Sequence, residues 1–128
     1  MNFELNEQQL SIQKMAREFT EKKVAPKVLE RDETRVYDVE LYQELSRMGF
    51  IGLPYAKEYG GQGASYLSYI MAVEELSKVC GPTGVILSAH TSLCCAPIYE
   101  NGTPEQKAKY LPKLCKGEWL GAFGLTEP

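Results

Sequence analysis

Two segments of this chain are apolar on nearly every side, and they govern what it can fold into. YLSYIMAVEELSK, from Tyr66 to Lys78, is broken only by Glu74, Glu75 and its final lysine. GVILSAHTSLCCA, from Gly84 to Ala96, carries no formal charge at all. A helix without a polar face must be covered on several sides. The other helices readable in 128 residues are too short to cover both. We therefore expect a missing partner: another domain, another subunit or a ligand.

The uncharged run is longer still, from Val79 to Tyr99, a length that could span a bilayer. Gly81, Pro82, Gly84, His90, Pro97 and several hydroxyl residues interrupt it. It reads as a buried helix with a broken entry, and no membrane partner is expected. Apolar residues at 44% and charged residues at 24% exclude wholesale disorder. A net charge of -3 with no basic block gives no electrostatic footprint for nucleic acid. The N-terminus MNFELNEQQL lacks the charged-then-apolar pattern of a signal peptide. We therefore expect a reducing cytoplasm, with Cys80, Cys94, Cys95 and Cys115 as small buried hydrophobes. No C-x-x-C pair exists, Cys94 and Cys95 are adjacent, and there is one histidine, so no metal site is expected.

The remaining helices announce themselves by their ends. Asn6 with Gln9 forms a capping-box pattern, followed by the stripe Ile12, Met15, Ala16, Phe19. Pro26 should kink this helix, with Lys27 to Asp32 carrying on for another turn or two. Asp38 is a good N-cap for a second helix with Leu41, Leu45 and Met48 inward, ended by Gly49. Residues 50–63 form a loop whose Gly60, Gly61 and Gly63 read as a tight turn. No strand precedes them and no Lys-Ser/Thr follows, so a phosphate cradle is the weaker reading. Ser65 caps a third helix to about Val79, and the fourth runs from about Gly84 to Ala96. Thr103-Pro104-Glu105-Gln106 starts a fifth, with Ala108 and Leu111 inward and Lys116-Gly117 as the stop. The expected fold is all-α, an orthogonal bundle of about five helices over residues 1–117. Trp119 to Leu125 is the one strand candidate, and it has no partner in the chain. Residues 118–128 are therefore expected to be the opening strand of a truncated β-domain.

No catalytic set assembles from these residues. Glu74 and Glu75 diverge by about 100° on a helix, so they cannot face one substrate together. One is expected in solvent, the other paired with a lysine or capping a buried polar group. His90 has two readings: a neutral, hydrogen-bonded core histidine, or a residue lining a ligand cavity. Ser88, Thr91 and Ser92 share that choice, with back-bonding to the helix as the structural option. Thr126 either caps a strand end or meets an anionic or carbonyl-bearing cofactor.

The stretch GAFGLTEP, residues 121–128, resembles the first signature of acyl-CoA dehydrogenases, an aromatic followed by x-x-T-E-P. KEYGGQG, AVEELSKVCGPTGVILSAHTSLC and GTPEQKAKYLP resemble the same family in the same order, from Glu4 to Pro128. GPTGVILSAHTSL is most similar to the short-chain, butyryl-CoA branch. The resemblance implies a helical domain that, with a β-barrel and a C-terminal four-helix bundle, encloses FAD and an acyl-CoA thioester. It implies loss of a proton from Cα and transfer of a hydride from Cβ to the flavin. A C-terminal carboxylate would be the base, electron-transfer flavoprotein the acceptor, and the whole a homotetramer.

Carried over by the resemblance, Phe123, Leu125 and Thr126 are cofactor-binding residues. Main-chain groups of the first two would meet the flavin pyrimidine edge, and the Thr126 hydroxyl would approach N5. Ile86, Ala89, His90 and Leu93 match the wall of the acyl cavity, and their i, i+3, i+4, i+7 spacing puts them on one helical face. Ile12, Met48, Gln62, Ala64 and Ala72 match a hollow that receives electron-transfer flavoprotein, although for Ile12 and Met48 ordinary core is the preferred reading. The catalytic base and most of the flavin site are expected beyond Pro128. The chain alone is therefore expected to be inactive and to hold no FAD. Two rival readings keep other classes open: the same domain from an acyl-CoA oxidase or flavin monooxygenase, and a free-standing helical interaction module.

Overall fold

The computed structural model describes residues 4–127, and among these the chain is all-α. Five helical rods follow one another. The first begins as α1 (Glu7–Phe19), widens to a π-helical stretch (Thr20–Val24), tightens to a 3-10 turn (Ala25–Lys27) and resumes as α2 (Val28–Thr34). The second is α3 (Val39–Arg47) and the third α4 (Tyr66–Ser77). The fourth runs through α5 (Gly81–Ser88), a second π-helical stretch (Ala89–Cys95) and α6 (Ala96–Asn101). The fifth is α7 (Pro104–Cys115).

The caps are those the sequence announces. Asn6 and Gln9 close a reciprocal capping box, as do Thr103 and Gln106. The Asp38 carboxylate accepts from the Leu41 N–H and the Ser65 hydroxyl from the Ser68 N–H. Gly49 takes a left-handed φ of 78° where α3 ends, a conformation that costs glycine little. The fourth rod starts earlier than expected, at Gly81, because Pro82 fits the first helical turn.

Both π stretches end two residues before a proline: Val24 before Pro26, and Cys95 before Pro97. Proline has no N–H for the carbonyl four residues back, and its ring crowds that carbonyl. The rod answers by shifting to i→i+5 bonds over the preceding turn instead of breaking. At the first site the Thr20 hydroxyl also donates to the Ala16 carbonyl, at 2.7 Å.

α4 packs between α1 and α5, which places the main core where these three rods meet α3 and the 50–64 loop. Phe19, Leu45, Phe50, Ile51, Ala72, Leu76 and Leu87 fill it. A second cluster joins Tyr55, Cys95, Leu111, Leu114 and Cys115 beneath α7. Three apolar residues depart from the expected stripes. Met15 and Met48 are exposed, and so is Ala108. Met48 is already in the turn that leaves α3, beyond the helical register.

The two glutamates of α4 divide as expected. Glu74 is in solvent, 3.2 Å from Lys78. Glu75 is 3% exposed and turns toward α1. There Arg17 donates Nε and Nη2 to its two oxygens at 3.2 and 3.1 Å, and Lys78 donates at 3.0 Å. The Arg17 bonds hold the Glu75 carboxyl below the ordinary carboxylate range.

The strand expected over Trp119–Leu125 does not form. Among the described residues, 118–127 carry no regular secondary structure, because no second strand lies alongside to take up the ladder hydrogen bonds.

Glu75→Gln should cost about 2 kcal/mol in urea unfolding near neutral pH, since a neutral amide keeps the volume but loses the charge-assisted bonds. Because the folded-state value is lowered, this contribution is present above the ordinary carboxylate range and is lost as pH falls through the lowered value. The gap between parent and variant should therefore close in acid.

Candidate functional site

His90 sits in the π stretch of the fourth rod and is 0% exposed. Its Nδ1 accepts the Gly121 N–H at 2.9 Å, so the ring proton lies on Nε2, which donates to the Leu114 carbonyl at 3.1 Å. The Tyr42 hydroxyl, from α3, lies 3.4 Å from Nδ1 and donates to the Trp119 carbonyl at 3.2 Å. The Cys95 thiol approaches Nε2 at 3.4 Å. One imidazole thus joins the fourth rod to the end of α7 and to residues 119–121.

The segment after α7 lies across this rod as a strap. Gly117, at φ 69°, turns it back. Lys113 Nζ stands 4.5 Å above the Trp119 ring. Gly121 passes so close that a Cβ there would come within 2.6 Å of the Cys94 Cβ and 3.3 Å of His90 Nδ1. The Ala122 N–H faces the Cys94 sulfur, although burial outweighs it and pushes that thiol up. Beyond this point Phe123, Leu125 and Thr126 are exposed. Their main-chain groups meet no hydrogen-bond partner among the described residues.

The four residues assigned to the acyl wall differ in burial. His90 is sealed, Leu93 is 48% exposed, and Ile86 and Ala89 are half-buried. The i, i+3, i+4, i+7 argument assumes α periodicity, and the π stretch breaks that register at Ala89. Ser88, Thr91 and Ser92 adopt structural roles. The Ser92 hydroxyl back-bonds to the Ser88 carbonyl at 2.7 Å, the Thr91 hydroxyl donates to the Ile51 carbonyl at 3.4 Å, and the Ser88 hydroxyl accepts from the Tyr69 hydroxyl at 3.4 Å. Of the residues matched to a partner hollow, Ala64 and Ala72 are buried. Ile12 is half-buried against the core, and Met48 and Gln62 are exposed. Ile86 also borders an apolar cleft of about 520 Å³ between α2, α3 and the start of α5, floored by Leu41, Tyr42 and Leu45. Tyr42 and Gly121 belong to the site and were not singled out from the sequence. Their roles arise from contacts across 48 and 31 positions, which no local pattern records.

Among the described residues no group of histidine, cysteine or carboxylate side chains could hold a metal ion, and no helix is long and apolar enough to cross a membrane. All four cysteines are free thiols.

Residues 6–118 match the family described as acyl-CoA dehydrogenase, N-terminal domain. The chain belongs to the acyl-CoA dehydrogenase family. It is 56% identical over its whole length to the short-chain specific acyl-CoA dehydrogenase of Clostridium acetobutylicum, covering 34% of that protein. It superimposes with a TM-score of 0.97 and 53% identity on a chain of the structure described as the electron transferring flavoprotein of Acidaminococcus fermentans, covering all of this chain and 34% of that one. An acyl-CoA dehydrogenase from Bacillus anthracis complexed with FAD matches at TM-score 0.90 and 34% identity, over 98% of this chain and 21% of that one. The chain thus spans about a third of the length of the first of these relatives.

Burial pushes the His90 imidazole down from 6.5 to about 4. Across that interval the unfolded chain takes up a proton that the folded chain refuses, so stability is complete above pH 6.5 and falls as pH drops toward 4. The loss should be on the order of 3 kcal/mol. Urea midpoints measured against pH should show this slope in the parent and a flatter line in His90→Asn.

Proposed function

We propose that this chain is the N-terminal helical part of an FAD-dependent acyl-CoA dehydrogenase that α,β-desaturates short-chain acyl-CoA thioesters and passes electrons to electron-transfer flavoprotein. The observation that carries the reading is the strap: a segment pinned at Trp119 and Gly121 whose main-chain donors and acceptors from Phe123 to Glu127 meet no hydrogen-bond partner among the described residues. Those groups fit the polar edge of a flavin, which would supply the hydride acceptor when bound. Phe123 and Leu125 would hold that edge through their backbone, and the Thr126 hydroxyl would donate toward its reacting end. Ile86, Ala89 and Leu93 would wall the acyl chamber with His90 sealed behind them. The short-chain name and the flavin-bound relative both support this assignment. The match to a chain from an electron transferring flavoprotein structure supports the electron acceptor. Four free thiols fit a reducing cytoplasm.

Under this reading the 128 residues alone are inactive and carry no stoichiometric flavin. The test is a chimera in which this chain replaces the matching third of the Clostridium acetobutylicum relative. It should bind FAD, and butyryl-CoA should bleach its flavin absorbance anaerobically. A chimera that folds, binds flavin and ignores short-chain thioesters would overturn the substrate assignment. In the same chimera Thr126→Val should keep its flavin and lose on the order of tenfold to a hundredfold in bleaching rate.

A further inference from the structure

Among the buried titratable groups, His90 has both ring nitrogens committed in opposite directions, and only one of those bonds belongs to the helical body. Nε2–H goes to the Leu114 carbonyl, which ties the fourth rod to α7. Nδ1 accepts from Gly121, which lies in a segment outside every helix. We propose that His90 is a positioning residue, whose Nδ1 holds the Gly121 N–H and so fixes the strap that presents Phe123, Leu125 and Thr126 to the flavin. The inference rests on the flavin reading for what the strap presents, but not for how the strap is held.

The geometry gives the ring a specific job. Among the described residues the strap is held by Tyr42 on the Trp119 carbonyl, Lys113 on the Trp119 ring, the Trp119 N–H on the Lys113 carbonyl, the Gly121 bond to His90 and the Ala122 N–H on the Cys94 sulfur. The Gly121 bond lies two residues ahead of the first presented residue, and it is the one whose sense depends on protonation of its acceptor. An imidazolium carries an N–H at both nitrogens, so it would set a donor against the Gly121 donor while leaving the Leu114 bond intact. The groups packed around the ring are neutral at ordinary pH: Tyr42 from α3, Cys94 and Cys95 from its own rod, and Cys115 from α7 beside Cys95. Lys113 on α7 is engaged with Trp119. Among these neighbours no carboxylate stabilises a charged ring, so acid should lift the strap before it dismantles the helices.

Two isosteric halves of the ring separate the bonds. In His90→Asn the amide oxygen takes the place of Nδ1 and can accept from Gly121. In His90→Gln the amide nitrogen takes the place of Nε2 and keeps Leu114 but not Gly121. The chain reports on its own strap: Trp119 is its sole tryptophan, and Cys94 lies under Gly121. His90→Gln should shift Trp119 emission toward that of the unfolded chain and raise the alkylation rate of Cys94 roughly tenfold at neutral pH, with helical circular dichroism unchanged. Cys80→Ala, Cys95→Ala and Cys115→Ala in the background confine labelling to Cys94. His90→Asn should match the parent in both readouts at neutral pH. On acidification the parent should pass to the His90→Gln signal, whereas His90→Asn should not. Parent-like emission and Cys94 protection in His90→Gln would overturn the proposal, and so would an acid transition that is the same in parent and His90→Asn. Should the cysteine background fail to fold, hydrogen exchange of the Gly121 amide in the natural chain decides: faster exchange in His90→Gln than in His90→Asn supports the proposal, and equal protection overturns it. In the chimera, His90→Gln should weaken FAD binding roughly tenfold while His90→Asn does not. A parent chimera without flavin would count against the function proposed above, and the strap measurements on the chain itself would stand apart from it.

Discussion

The arrangement of this domain turns on one buried imidazole that cannot leave either of its hydrogen bonds unmade. A buried polar group without a partner costs about 1–3 kcal/mol, so the 0% exposed His90 constrains everything it touches. It sets how deeply the fourth rod lies against α7, because Leu114 must offer its carbonyl there. It sets where the chain goes after α7, because Gly121 must bring its N–H within reach. Tyr42 joins the same knot from α3, and burial raises its phenol well above the ordinary value, so it stays a neutral donor. Three rods and one irregular segment are thus referred to a single ring.

The caps were legible because they are local. A hydroxyl, carboxylate or amide oxygen at the cap accepts from the N–H three residues on, which nothing else can reach, and this holds whatever the tertiary context. Asp38, Ser65, Thr103 and Asn6 therefore read directly. The division of labour between Glu74 and Glu75 was legible for a related reason: helical geometry forbids them a common direction. The faces of the rods read less well. Pro26 marks its irregularity plainly, but Pro97 lies beyond the expected end of the fourth helix at Ala96, so its effect on residues 89–95 went unseen. Within that stretch Leu93 is exposed while His90 is sealed beneath Gly121. Met48 failed for a simpler reason. It continues the spacing of Leu41 and Leu45, but α3 stops at Arg47 and the chain turns away.

The expectation of uncovered apolar surface has a concrete form in the fold. α4 exposes Tyr66, Leu67 and Ile70, the fourth rod exposes Val85 and Leu93, and the strap adds Trp119, Leu120, Phe123 and Leu125. Burying α4 between α1 and α5 uses two of its sides and leaves the third open. That is what a helix with too few polar residues does in a small body: the core takes what geometry allows, and the remainder faces outward. Membership of a family whose relatives are about three times as long gives that remainder a physical context.

The strap shows why the missing strand and the site are one question. A strand is stabilised by its ladder, so residues 119–125 gain nothing by being regular where no neighbour stands. What orders them instead is side-chain chemistry from the helical body: a phenol on one carbonyl, an imidazole on one N–H, an ammonium on one ring. Those anchors stop at Ala122, where the Cys94 sulfur is the last group of the body to meet the backbone. Past it the backbone polar groups are anchored at one end and meet no hydrogen-bond partner among the described residues. Such groups on an anchored segment form a half-built edge, whose binding cost in lost chain freedom has been partly met by the anchors before any ligand arrives. A histidine that looks like an ordinary core residue thereby acts at a distance of several residues, through the one N–H it holds.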